Sequence, residues 1–241
     1  MRYSYSLFLF LFLFAVFFIP FDNLLIAPSK GWATISPYIF FLSLLVALIS
    51  FPSKIVVCVR YFFGKYGVLF FLLLITTITS YLIYGFHFSF FLVDFFKVFL
   101  GFCFFCCLFI VRSFLAGGGF HFILSRVIFF GYFLALIFGL IQWVCITLGL
   151  DANVFFKYLF ARGYSDRVQF SFTEPSFSSV HIIGVIIPFL VILSSIKHSR
   201  SKPVLKYTFF VSCLILVISV LTGSSLRVVM DLSILSFVFI L

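Results

Sequence analysis

Residues 127–150 read VIFFGYFLALIFGLIQWVCITLGL, an apolar run without a single Asp, Glu, Lys or Arg. About 20 such residues are needed for an α-helix to cross the hydrocarbon core of a bilayer. Similar apolar stretches occupy residues 3–20, 34–51, 66–84, 88–111, 176–196, 205–222 and 228–241. They are continuous and lack the alternating polar face of a membrane β-strand. The sequence therefore predicts an all-α, polytopic transmembrane helix bundle of about eight spans.

The composition of the whole chain agrees with this interpretation. Of 241 residues, 16 are Lys or Arg and 6 are Asp or Glu, so 9% are charged, where soluble domains carry roughly 25%. Apolar residues make up 65% of the chain, more than a soluble core could bury. These values exclude an ordinary soluble protein, and we expect residues 1–241 to form a single integral membrane domain.

The two ends of the chain have distinct patterns. Arg2 and the run SLFLFLFLFAVFFI at residues 6–19 resemble the start of a signal peptide. No small-residue cleavage site follows, so we expect an uncleaved first span. The run at 228–241 is short for a span and has no flanking charge or aromatic anchor. We expect this last span to be truncated and the chain to be part of a longer protein.

The distribution of Lys and Arg over the connections predicts the orientation. With a cytoplasmic N-terminus, the inner connections hold ten of these residues: Arg2, Lys54, Arg60, Lys65, Arg112, Arg126, Lys197, Arg200, Lys202 and Lys206. The outer connections hold five: Lys30, Lys157, Arg162, Arg167 and Arg227. Cytoplasmic loops carry the excess of positive charge, so the N-terminus is predicted to be cytoplasmic. The net charge of +10 thus indicates topology and not a nucleic-acid partner.

The longest outer connection, residues 151–175, concentrates polar side chains. Glu174 and Pro175 are typical of a helix N-terminus, where a carboxylate complements the helix dipole and proline fits the first turn. In a functional interpretation, Arg162 and Arg167 clamp a diphosphate through bidentate hydrogen bonds, and Glu174 accepts a proton from a hydroxyl group. The residues by themselves leave both interpretations open.

Ionisable residues inside two predicted spans are further candidates. His181 follows Glu174 by seven residues, about two helical turns deeper on nearly the same face. It is either a satisfied core histidine or a second candidate base. Asp94 and Lys97 have the i, i+3 spacing of a self-neutralising pair, and the alternative is a polar cavity wall.

The cysteines and the glycine run do not indicate a cofactor. Cys103, Cys106 and Cys107 form a CxxCC run without a nearby His, so they are interpreted as small hydrophobic residues and no metal site is predicted. Residues 116–119, AGGG, lack the Lys and Ser or Thr of a phosphate-binding loop. We therefore expect neither a metal nor another cofactor.

Two segments in the last third of the chain carry a family resemblance. RGYSDR at residues 162–167, followed by FTEPS at 172–176, is similar to an outer-loop pattern of Arg, an aromatic residue and Glu-Pro-Ser entering a span. LTGSSLR at residues 221–227 is similar to a T-x-S-R segment that ends the next span, although Arg227 comes two residues after Ser225. The patterns resemble those of the bacterial O-antigen polymerases, within the O-antigen ligase/polymerase-like superfamily.

This resemblance implies a membrane glycosyltransferase of surface polysaccharide and lipopolysaccharide biosynthesis. Such an enzyme joins polyprenyl-diphosphate-linked oligosaccharide repeat units at the outer face of the bacterial inner membrane. By the resemblance, Arg162, Arg167 and Arg227 bind the diphosphate, and Glu174 or His181 is the base. Its implied partners are membrane lipids, a chain-length regulator and a flippase.

Other functional classes compete with the enzyme. A lipid-linked glycan flippase, or another multi-span transporter, also needs a bundle with midplane charges such as Asp94 and Lys97. A structural subunit of a membrane complex is a third class. Polar residues concentrate at the predicted outer edge more than at the midplane, which favours a surface-facing enzyme.

Overall fold

The structure is a computed structural model that describes residues 2–21, 35–84, 102–113, 119–151, 168, 170–172, 181, 185–186 and 201–221. Six helices account for most of this part: α1 (Arg2–Phe17), α2 (Ile35–Ser50), α3 (Pro52–Tyr84), α4 (Phe102–Ser113), α5 (Gly119–Thr147) and α6 (Ser201–Leu221). No β-strand occurs within these described ranges. The prediction of an all-α fold is confirmed.

Within the described part of the chain, two helices are long and apolar enough to cross a membrane. They are Pro52–Ile83 in α3 and Phe122–Thr147 in α5, and they correspond to the predicted spans at 66–84 and 127–150. Shorter apolar helices lie at Tyr3–Phe17, Ile35–Ser50, Phe102–Ser113 and Lys206–Ile215. The predicted span at 228–241 lies outside the described residues, and only three residues of the span at 176–196 are described.

Helix α3 begins well before the predicted span. Pro52 occupies its first turn, where the missing N–H costs no hydrogen bond. The N–H groups of Lys54 and Ile55 both bond to the carbonyl oxygen of Phe51, at 3.0 and 3.2 Å. Lys and Arg are good helix formers, so the basic stretch that the sequence pattern placed in a connection continues the helix instead.

Helix α5 ends at a glycine cap. The N–H of Leu150 bonds to the Cys145 carbonyl oxygen at 2.8 Å, and the N–H of Gly149 bonds to the Ile146 carbonyl oxygen at 3.1 Å. Gly149 has a φ of 68°, which its missing side chain makes inexpensive. The helix therefore stops at Thr147, slightly short of the predicted boundary at 150.

The chain divides into two compact units. Unit 1 comprises Met1–Phe12 and Pro37–Ala116, and unit 2 comprises Leu13–Ser36 and Gly117–Leu241. In unit 1, α4 packs on α2 through Cys107, whose Sγ lies 3.8 Å from Ser43 Oγ. Cys107 and its neighbours Cys103 and Cys106 are buried, in agreement with their interpretation as small hydrophobic residues.

Unit 2 is built around α5. Helix α6 packs against α5, with the rings of Tyr207 and Phe129 6.3 Å apart. Phe21, shortly after α1, is buried and packs against Phe138 of α5 with ring centroids 6.2 Å apart. This arrangement makes α5 the element on which the candidate site is assembled.

Candidate functional site

One face of α5 carries polar groups inside the apolar run. Tyr132, Gly139 and Gln142 are spaced seven and three residues apart, which places them on one side of a helix. All three are buried, and Tyr132 is only 1% exposed. We refer to Tyr132, Gly139 and Gln142 as the α5 inner face. Residues near the end of the predicted outer loop pack against it.

Gln142 binds the backbone of Phe170 at two points. Its Nε2 donates to the Phe170 carbonyl oxygen at 2.8 Å, and its Oε1 accepts from the Phe170 N–H at 2.9 Å. A carboxamide offers both donors and an acceptor, so it matches one residue's backbone pair. This pairing satisfies peptide groups that would otherwise be costly to bury.

Phe170 has an unusual backbone conformation. Its φ is 59°, in the left-handed region that residues other than glycine rarely adopt. The Phe170 ring lies against Gly139, and a Cβ atom added to that glycine would overlap the ring. Gly139 is therefore required to be small so that the Phe170 segment can approach α5.

The neighbours of Phe170 are also buried. Val168, Phe170, Ser171 and Phe172 are each 0% exposed, although they belong to the segment predicted as an outer loop. The Ser171 hydroxyl donates to the Pro20 carbonyl oxygen at 2.5 Å. Val168 and residues 170–172 are thus anchored in the interior of unit 2, beside α5 and the residues that follow α1.

His181 lies beside two aromatic residues of this interior. Its Nδ1 is 3.1 Å from Tyr132 Oη, within hydrogen-bond distance. The Phe172 ring stacks on the imidazole with centroids 4.6 Å apart and planes inclined by 25°. Tyr132 and Phe172 together fix the position and the plane of the His181 ring.

The direction of the Tyr132–His181 hydrogen bond depends on the imidazole tautomer. When Nδ1 carries the proton, it donates to Tyr132 Oη, and the lone pair of the ring lies on Nε2. When Nδ1 is unprotonated, the Tyr132 hydroxyl donates to it. The first tautomer is the one in which a histidine acts as a base through Nε2.

Among the site residues predicted from sequence, the structure describes His181. Glu174, Arg162, Arg167 and Arg227 lie outside the described residues, as do Asp94 and Lys97. Within the described ranges, no group of three His, Cys, Asp or Glu side chains is arranged to hold a metal ion. The candidate site is therefore defined by His181, Tyr132, Phe172 and the Gln142–Phe170 pair.

Sequence reasoning missed Tyr132 and Gln142. Gln142 did carry a signal, because it is the only carboxamide in the apolar run 127–150. An amide in such a run needs a buried partner. Tyr132 carried no comparable signal, since tyrosine is common at both ends of spans.

Comparison with known proteins gives no further assignment. No protein-family model, no curated protein and no solved structure matches the chain at a significant level.

Proposed function

We propose that the chain is a membrane-embedded glycosyltransferase that acts as an O-antigen polymerase does, joining polyprenyl-diphosphate-linked repeat units. The hydrogen bond between Tyr132 Oη and His181 Nδ1 is the observation that carries the proposal, because it orients a candidate base within a buried aromatic setting. The resemblance of residues 162–176 and 221–227 to the polymerase patterns supports it.

The proposed reaction transfers a growing glycan from its lipid carrier to a new unit. A hydroxyl oxygen of the new unit forms a bond to the anomeric carbon of the growing glycan. The bond from that carbon to the diphosphate oxygen breaks, and its electron pair leaves with the carrier diphosphate. The hydroxyl proton passes to a base, for which His181 and Glu174 are the two candidates.

Tyr132 has a positioning role in this proposal. If Nδ1–H donates to Tyr132 Oη, the imidazole takes up the hydroxyl proton on Nε2, and the tyrosine oxygen stabilises the imidazolium that forms. Phe172 holds the ring plane by stacking. A base with one fixed orientation needs no rearrangement when the substrate arrives.

The leaving group requires positive charge. Negative charge develops on the diphosphate in the transition state, and planar guanidinium groups can bind two of its oxygens at once. Arg162, Arg167 and Arg227 are proposed for this task. They precede and follow the Phe170–His181 segment in sequence, and Gln142 anchors that segment to α5 at Phe170.

The proposal includes the membrane arrangement that the sequence predicts. The chain has about eight spans with a cytoplasmic N-terminus in the bacterial inner membrane. The two helices long enough to cross a membrane support it. The apolar surface of α3 supports it further, because Val68, Leu72 and Leu73 are each more than half exposed.

Variants of the oriented histidine test this function in a strain that lacks the gene. His181→Gln and Tyr132→Phe are expressed from a plasmid, protein levels are compared by immunoblot, and the surface polysaccharide is run on a gel. On this gel, a polymer of increasing numbers of repeat units gives a ladder of bands. We expect His181→Gln to leave only capped material, which carries a single repeat unit. We expect Tyr132→Phe to shorten the ladder while the protein level stays normal.

Tyr207→Phe is the matched control, because it removes a hydroxyl from an exposed tyrosine of unit 2. It should restore the full ladder. An undiminished ladder from His181→Gln and also from Glu174→Gln, both at wild-type abundance, would remove the chemical basis of the proposal. A strain without any capped material would favour the flippase class instead.

A further inference from the structure

A cavity of about 500 Å³ lies between α3 and α4 in unit 1. It is lined by Tyr61, Tyr66, Phe105, Leu108, Phe109, Arg112 and Ser113, and we call it the α3–α4 cavity. Its volume falls in the range of roughly 300–1,000 Å³ typical of small-molecule sites. None of its lining residues belongs to the candidate site on α5.

Basic side chains lie at or beside the α3–α4 cavity. Arg112 forms part of its wall and is exposed. Lys54 Nζ donates to the hydroxyl of Ser113, which lines the cavity, at 3.0 Å. Lys65 Nζ is 5.7 Å from the ring centroids of both Tyr61 and Tyr66. Three cations therefore line or border the cavity.

The described part of unit 1 contains no acidic side chain. Residues 2–12, 37–84 and 102–113 contain neither Asp nor Glu. Lys54, Tyr61 and Lys65 are spaced seven and four residues apart, so α3 presents them on one side. The charged side chains in the described part of unit 1 are therefore all basic, which favours an anion beside them.

The rest of the cavity is suited to hydrocarbon. Phe105, Leu108 and Phe109 supply an apolar wall on α4. Beyond Tyr66, α3 continues as an exposed apolar helix, with Val68 76% and Leu69 60% exposed. The cavity therefore adjoins the apolar surface that lipid chains would cover in a bilayer.

We propose that the α3–α4 cavity binds an anionic glycerophospholipid of the bilayer. Arg112 binds the phosphate through its planar pair of donors, with Ser113 and Lys54 beside it. Tyr61 and Tyr66 lie at the level of the glycerol and ester groups, where tyrosine is favoured. The first part of one acyl chain lies along Phe105 and Leu108. Basic pockets between membrane helices bind anionic headgroups in this way.

Binding of a fluorescent phosphatidylglycerol to the full chain purified in detergent tests the proposal. We expect saturable binding that unlabelled phosphatidylglycerol displaces and that phosphatidylcholine and millimolar inorganic phosphate do not displace. Arg112→Gln should weaken the affinity about tenfold, the loss of one charge-assisted contact. Lys54→Gln should weaken it less, because Lys54 reaches the cavity through Ser113.

Arg60→Gln is the matched control. It removes the same charge from an exposed position of α3, and Arg60 does not line the cavity. Its affinity should equal that of the unmodified chain. Leu108→Trp, which fills the cavity and keeps every charge, should abolish saturable binding while the chain elutes at its normal volume in size-exclusion chromatography.

Four outcomes would overturn the proposal. Equal losses in Arg60→Gln and Arg112→Gln would indicate unspecific attraction to a basic surface. Displacement by inorganic phosphate would indicate a free-phosphate site, and tighter binding of a polyprenyl phosphate would indicate a carrier-lipid site. Unchanged binding in Leu108→Trp would exclude the cavity itself.

Discussion

Gln142 holds the backbone of Phe170 through both ends of its amide, with Nε2 donating to the carbonyl oxygen at 2.8 Å and Oε1 accepting from the N–H at 2.9 Å. The two residues are 28 positions apart, and both are buried. The contact fixes a residue with a φ of 59° in the segment that leads towards Glu174 and His181. The candidate site thus depends on one amide side chain of α5.

Replacing this amide should destabilise the protein. Gln142→Leu leaves a buried N–H and a buried carbonyl without these bonds, at about 1–3 kcal/mol for each group. We expect a clear fall in the thermal unfolding temperature of the detergent-solubilised protein. Thr147→Val is the control, because the Thr147 hydroxyl is exposed and bonds to carbonyls of its own helix. Equal unfolding temperatures for the two variants would contradict the importance of the contact.

The close approach of Gly139 and Phe170 gives a second prediction. Gly139→Ala places a methyl group into the Phe170 ring and should destabilise the protein by about 1–3 kcal/mol. In combination with Phe170→Ala, the added cost should largely disappear, which a double-mutant cycle measures as coupling.

Gly64→Ala supplies the comparison, since the added carbon would meet no atom within 4 Å apart from its chain neighbours and the backbone of its own helix. It should stabilise α3 by about 0.5–1 kcal/mol, because alanine is the better helix former. Additive effects of Gly139→Ala and Phe170→Ala on the free energy of unfolding would show that there is no steric coupling between the two residues.

Local sequence patterns predicted the helices better than their ends. The absence of charge identified residues 127–150 as a span, and the structure has a helix at Gly119–Thr147. Hydropathy alone could not include Lys54, Arg60 and Lys65 in α3, because charge lowers the hydropathy while leaving helix formation favourable. The boundary at Gly149 depends on cap hydrogen bonds that the apolar pattern does not encode.

The candidate site could be predicted only in part. His181 was recognisable because an ionisable residue in a span usually faces the interior. Its contact with Tyr132 joins residues 49 positions apart and follows from tertiary packing. The burial of Phe170 and Phe172 could not be predicted from the sequence either. Charged neighbours such as Asp166 and Glu174 made residues 151–175 resemble an exposed loop.

Conservative substitutions test the proposed roles of the two arginines and of Glu174 separately. Arg162→Lys and Arg167→Lys keep the charge and remove the planar donor pair, so polymer formation should fall steeply at constant protein level. Glu174→Gln should abolish chain extension if the carboxylate is the base. If Glu174 only complements a helix dipole, the same change should cost about 0.3–1 kcal/mol and leave long polymer. Gel electrophoresis with an immunoblot distinguishes these results.

The orientation predicts the accessibility of two serines. Ser165 belongs to the predicted outer loop, and Ser201 begins α6 beside the densest basic cluster. In a cysteine-free background, an impermeant thiol reagent applied to intact spheroplasts should label Ser165→Cys. Ser201→Cys should react only after permeabilisation. The reverse labelling pattern would contradict a cytoplasmic N-terminus.

The surface polysaccharide of a strain that lacks this gene tests the central claim most directly. A polymerase joins units that already reach the outer face, so its loss should leave capped material with one repeat unit and no ladder. The unmodified gene should restore the ladder, and the His181→Gln gene should not. Complete absence of capped material would indicate that the chain translocates lipid-linked units across the membrane. An unchanged ladder would contradict a role in joining the units.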